Sequence, residues 1–209
     1  MKKYISLVII CNIPFLLKAQ LFVAAADSIS VSPGLLFTSQ ETQLINNGKI
    51  FNTGTLTLNS TIQQTIEGPG TVQNLTADNN VLMLTDLTVT DTLRVNTGKV
   101  FNIATLQLTD GGTVTANGLL KASPQEALVL NGNGSSTINM DATANESRNA
   151  FKKITASGSS GTVNFQNKLY VHDALLPNAG TVTLNDELVL RSNDSLTARV
   201  GPVGSTINY

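Results

Sequence analysis

Asn46-Asn-Gly-Lys-Ile-Phe-Asn-Thr-Gly-Thr-Leu-Thr-Leu58 recurs 50 residues later as Asn96-Thr-Gly-Lys-Val-Phe-Asn-Ile-Ala-Thr-Leu-Gln-Leu108. Asn, Gly, Lys, Phe, Asn, Thr, Leu and Leu coincide. A further match lies 82 residues on. Leu87-Thr-Val-Thr-Asp-Thr-Leu-Arg-Val-Asn-Thr-Gly-Lys-Val100 aligns with Leu169-Tyr-Val-His-Asp-Ala-Leu-Leu-Pro-Asn-Ala-Gly-Thr-Val182. The shared content is a strand, an Asn-x-Gly corner, a strand and a Leu-x-Leu strand. Fixed-period self-similarity is the mark of repeat architectures.

Working outward, the same grammar fills the chain. Thr55-Leu-Thr-Leu58, Thr113-Val-Thr115 and Thr181-Val-Thr-Leu184 alternate polar and apolar residues, as half-buried strands do. Asn46-Asn-Gly48, Gly68-Pro-Gly70, Asp110-Gly-Gly112, Asn131-Gly-Asn-Gly134 and Asn178-Ala-Gly180 punctuate them. Gly and Asn tolerate the left-handed backbone angles of sharp corners. The pattern predicts an all-β fold, a parallel β-helix (β-solenoid) of short strands around apolar ladders; the alternative is an antiparallel β-sandwich. A 50-residue repeat predicts coils of about 25 residues, seven or eight in all. Phe51 and Phe101, alike in the repeat, are expected to stack in the core. Asp141 to Lys153 breaks the pattern and reads as an irregular or helical insertion.

The 209-residue chain carries 13 basic and 14 acidic side chains, one His and no Trp. Charged residues are 13% of it, too few for a solvated disordered chain when 41% is hydrophobic. So thin a basic inventory excludes a nucleic-acid footprint. Met1-Lys2-Lys3, the apolar run Tyr4–Leu17 and Lys18-Ala19-Gln20 read as a signal peptide over 1–19, with cleavage as late as 26. The run is too short, and too interrupted by Asn12 and Pro14, to span a membrane. Residues 27–209 then form a single solenoid domain, secreted or at the cell surface, with no transmembrane segment. Its charge is 13 − 3 = 10 basic against 14 acidic groups, or −4. Cys11, the one cysteine, lies in the leader, so the mature chain has neither disulfides nor a Cys-ligated metal.

The chemistry-bearing residues are sparse. His172 takes the repeat position of Thr90, outward on a strand, without the companions of a zinc or catalytic histidine. Asp141, Glu146, Arg148 and Lys152 form the densest charged cluster and read as a solvated loop. These residues predict no enzyme, no catalytic or metal site and no cofactor. Thr55/Thr57, Thr88/Thr90, Thr113/Thr115 and Thr181/Thr183 pair hydroxyls on strand faces, as an ice-binding solenoid would. Phe and Tyr positions offer no sugar platform.

The Lys-Ala-Gln leader end, Ile29-Ser-Val-Ser-Pro-Gly34, the Asn-x-Gly/Leu-x-Leu units and Leu188-Val-Leu-Arg-Ser192 with Leu196-Thr-Ala-Arg-Val-Gly-Pro-Val203 resemble repeat modules of large secreted surface proteins of Bacteroidota. The resemblance implies an adhesin-like, non-enzymatic module associated with type IX secretion. Its partners would be surface glycans or other cell-surface proteins. A polysaccharide-binding or polysaccharide-degrading β-helix is the alternative. Such proteins often end in a sorting domain, which this chain lacks in recognisable form, so it reads as a shortened relative or a fragment. Open solenoid ends allow end-to-end stacking. In such a lineage the Asp-Ser/Thr-apolar triplets make Ser28, Thr92 and Ser195 candidate O-glycosylation sites.

Overall fold

The structure is a computed structural model that describes residues 20–33, 35–52, 54–103, 107–142, 146, 149–192, 197–201 and 206–208. The leader residues 1–19 lie outside the described residues, as does Ser195. Among the described residues every strand pairing is parallel, and there is no helix. The antiparallel sandwich is thereby excluded. The chain winds as a β-solenoid of three strand-bearing faces per turn, through about eight turns. At about 4.8 Å between neighbouring strands, eight steps span roughly 38 Å.

The first turn shows the plan. Gln20–Val23 lies on the first face, Ser28–Val31 on the second and Leu36–Ser39 on the third. Their partners one turn on are Gln43–Asn46, Lys49–Asn52 and Thr55–Leu58. Longer strands bend across a corner: Thr71–Ala77 and Leu87–Val95 serve the second and third faces, Leu169–Pro177 the first and second. Parallel stacking places like on like, so period-2 alternation along each strand becomes ladders across the turns. On the third face one inner ladder runs Leu56, Leu75, Leu93, Val114, and then Val163 and Val182 beyond the buried Ser136. Phe101, Phe151 and Phe165 are fully buried between turns. Each such large apolar side chain contributes about 1.5–3 kcal/mol by leaving water.

Most turns are shorter than the expected 25. Register partners are 17 residues apart at Gln64↔Val81, 19 at Val100↔Leu119 and 23 at Gln20↔Gln43. The last described turn reaches 25, at Ala174↔Arg199 and Thr181↔Thr206, and the turn carrying the insertion is longer still, with Ala122 bridged to Asn149. Fifty residues therefore cover about two and two-thirds turns rather than two. Phe51 falls on the second face, opposite Ser30, whereas Phe101 lies on the first, between Val81 and Leu120. The expected stack of these two rings is overturned. What repeats is a strand–corner–strand unit, and each copy starts on a different face of the prism. The 82-residue match shifts in the same way. Leu87 pairs with Leu108 on the second face, and Leu169 with Leu188 on the first. Three faces of similar width accept the same short unit, so local sequence specifies the unit and not the face.

Corners are closed by backbone contact. A Cβ added at Gly132 would sit 1.3 Å from the Gly112 carbonyl oxygen, and one at Gly158 would sit 1.7 Å from that of Gly132. Between the third and first faces the asparagines reach back one turn. Asn139 Nδ2 donates to the Asn117 carbonyl (3.4 Å), Asn167 Nδ2 to the Met140 carbonyl (2.6 Å) and Asn185 Nδ2 to the Phe165 carbonyl (3.2 Å). Asn167 adopts the left-handed conformation, φ 68°, one of the few non-glycine types that tolerate it.

The expected insertion at 141–153 is narrower than its sequence suggested. Asn149 is bridged to Ala122, and residues 150–153 belong to the strand Ala150–Ala156, which pairs with the next turn on either side of a bulge between Phe151 and Lys153. Arg148 and its neighbours 143–145 and 147 lie outside the described residues. Buried Asn149 holds the neck shut. Its amide nitrogen donates to the carbonyls of Asp141 (2.7 Å) and Lys168 (3.0 Å), and its Oδ1 accepts from the Asp141 amide (3.1 Å).

Candidate functional site: the outward ladder of the third face

The outward positions of the third face align into two columns. The first passes from Leu36 to Thr55, Asn74 and Thr92, and on through Thr113, Ser135, Thr162 and Thr181. The second holds Thr38, Thr57, Thr76 and Arg94, then Thr115, Thr137, Asn164 and Thr183. Eleven of these sixteen positions are Thr, so a hydroxyl and a methyl recur at nearly every lattice point. Arg94 is the one charged residue among them. Alternation explains the placement: in Thr113–Ala116 and Thr181–Leu184 the Thr are half-buried and the residues between them fully buried. Thr is β-branched, fits a pleated surface and has restricted χ1.

Over the early turns the face is concave. A groove of about 470 Å³ is lined by Thr55, Thr57, Asn74, Thr76, Thr92 and Arg94, with Leu36 and Asn96 at its margins. Asn96 is steadied by donating to Asp78 Oδ1 (2.9 Å). From Thr113 onward the columns carry no charge among the described residues.

Of the hydroxyl pairs singled out in the sequence, Thr55/Thr57, Thr113/Thr115 and Thr181/Thr183 share this face. Thr88 does not: it pairs with Thr71 and Thr109 on the second face, and Thr90 falls at the bend of its strand. The ladder also takes in Thr38, Thr76, Thr137 and Thr162, which have no Thr two residues away on the column beside them. A signal for several first-column positions exists. Gly54-Thr55, Gly112-Thr113, Gly134-Ser135, Gly161-Thr162 and Gly180-Thr181 each open a third-face strand straight after a corner glycine. Gly70-Thr71 has the same form yet opens a second-face segment, so the motif marks a corner without naming it.

The candidate glycosylation residues are dispersed. Ser28 opens a second-face strand and is exposed, while Thr92 stands in the first column of the third face and lines the groove.

His172 is not on an open outward strand position. It sits at the bend of Leu169–Pro177 with 15% of its side chain exposed. Its Nε2 lies 2.8 Å from Glu146 Oε1, at ion-pair distance though without hydrogen-bond alignment, and Arg191 Nε meets Glu146 Oε2 at 3.2 Å. Glu146 thus ties the insertion to the later strand Leu169–Pro177 and to Arg191, just past Leu188–Leu190, and the charged cluster predicted there is in part a clasp. Beside it Lys168 Nζ pairs with Glu187 Oε2 (2.7 Å), and both Lys168 and Arg191 lie over the Tyr170 ring, 5.3 and 5.8 Å from its centre. The hydrogen bond to Glu187 holds the Lys168 ammonium above its usual pKa. Among the described residues no three His, Cys, Asp or Glu side chains converge as metal ligands would. Among them, too, no helix is long and apolar enough to cross a membrane.

No family model matches this chain, and neither a curated protein nor a solved structure does. The fold defines the class, a three-faced parallel β-solenoid, and function is argued from its surfaces.

Proposed function

We propose that the chain is a secreted, non-enzymatic module of adhesion type, working at the bacterial surface by laying a solenoid face against its partner. The observation that carries this reading is the continuous outward ladder of the third face. A long, rigid, nearly uncharged surface suits recognition of an extended partner by many weak, repeated contacts. The leader-like run over 1–19 supports export. The groove at Thr55, Asn74 and Arg94 favours a second reading, in which that partner is a polysaccharide held by hydroxyl and amide groups. Among the described residues the terminal turns pair on one side only, so stacking with another solenoid end belongs to the same proposal.

Two measurements test it. Protease shaving and antibody labelling of intact cells should find the protein outside. Capture of the purified chain on arrays of surface polysaccharides and cell-surface proteins should be weakened by Arg94→Glu. Release of shortened sugars from a captured polysaccharide would replace the adhesion reading with an enzymatic one.

A further inference from the structure

We infer that the third face, from Thr113 to Thr183, is a surface for adsorption to ice. The inference rests on the reading that this chain recognises its partner through a solenoid face, and it names that partner as crystalline water.

Three observations carry it. The first is spacing in two dimensions. Turns repeat at about 4.8 Å, and two residues along a strand advance about 6.6 Å. The columns Thr113–Ser135–Thr162–Thr181 and Thr115–Thr137–Asn164–Thr183 therefore form a rectangular lattice of small polar groups. A partner that is itself a periodic lattice can meet every point of it, whereas a single chain molecule can follow only one line.

The second observation is charge. These positions carry no ionisable group among the described residues. An ion would hold its own hydration shell against the lattice, while an ice surface is an uncharged array of donors and acceptors. Thr supplies a hydroxyl to join that array and a methyl that crowds water into a cage beside it. Its χ1 is already restricted, so ordering the side chain costs little entropy.

The third observation is what the face does not carry. Its outward described positions include no aromatic ring, the group that stacks on a sugar face. Leu36 and Arg94 interrupt the lattice of small polar groups in the early turns with a large apolar and a charged side chain, which places the uncharged stretch in the later half.

The test uses the purified chain freed of its leader. Freezing hysteresis, the shape of growing ice crystals and uptake of labelled protein into slowly growing ice are measured together. The variants Thr137→Lys and Thr183→Lys place a charge on the lattice, and Thr155→Lys does so on the outward side of the second face. All three sites are outward and half-buried. Retention of the circular dichroism spectrum and melting temperature shows that each variant folds; Thr137→Val with Thr183→Val serves in place of any that does not.

The expected result is a freezing point held below the melting point, faceted crystals and enrichment in ice. Each should fall several-fold in the third-face variants and survive in Thr155→Lys. A purely colligative curve with round crystals overturns the ice assignment, as does hysteresis indifferent to the third-face changes. If the colligative result is accompanied by polysaccharide capture that the same variants abolish, the adhesion reading stands with a glycan partner. If no capture is found either, both readings fall together.

Discussion

Gly132 faces the Gly112 carbonyl across one turn so closely that any side chain would overlap it. Gly132→Ala should cost about 1–3 kcal/mol or more, because neighbouring turns at that corner must separate. Gly111 is the control: its nearest neighbour would lie 3.2 Å from an added Cβ, so Gly111→Ala should change stability far less. Equilibrium denaturation of the two variants checks the contrast. Asn149 makes a different kind of contact, satisfying three backbone groups where the insertion leaves and rejoins the coil. Asn149→Leu strands those buried groups and should cost about 1–3 kcal/mol, measured the same way. The corner glycines were legible in the sequence as punctuation, whereas Asn149 lay in the segment that broke the pattern. Which carbonyl each would meet was not, since that depends on a turn length that varies from corner to corner.

At the scale of strands, each element is stabilised mainly by the turns above and below it. The first-turn strands have one such neighbour among the described residues, and the central ones have two. Hydrogen exchange should therefore be fastest in Gln20–Val23 and Ser28–Val31 and slowest in Thr71–Ala77 and Leu87–Val95; uniform protection would contradict nearest-neighbour stabilisation. The strands Leu169–Pro177 and Leu188–Leu190 bear an added tie, the Lys168–Glu187 pair. Its lysine pKa is raised by folding. The tie is thus fully present at neutral pH and is lost as pH climbs past the ordinary lysine value through the folded one. Lys168→Met should remove that alkaline share of the stability decline, read as the difference between the two proteins' stability–pH curves. His172 shows what strand alternation misses. Two residues at a bend escape the period-2 rule, so a position that reads as outward ends against Glu146 from a distant segment.

For the molecule as a whole, turns are interchangeable only if they return the chain to the same face. Thr162 pairs with Thr181, a 19-residue step. Duplicating residues 162–180 should add one turn, lengthen both Thr columns and raise the melting temperature. Deleting about half that segment should leave apolar ladders facing water and abolish cooperative unfolding, because a slip in register exposes an entire inner set. Scanning calorimetry with small-angle scattering would show a longer, more stable particle for the first and an expanded chain for the second.

Short alternating segments, corner glycines and Leu/Val positions that recur with the corners were enough, read along the chain, to favour a parallel stack around an apolar centre, with the antiparallel sandwich left for the structure to exclude. Each is a local property that backbone sterics and burial translate directly. The assignment of segments to faces was decided only in three dimensions. Three faces accept the same short unit, so Asn46–Leu58 and Asn96–Leu108 look alike and lie a face apart. The Thr columns arise from that assignment. They are assembled from single residues about 20 positions apart, whose alignment is set by the cumulative length of every intervening corner.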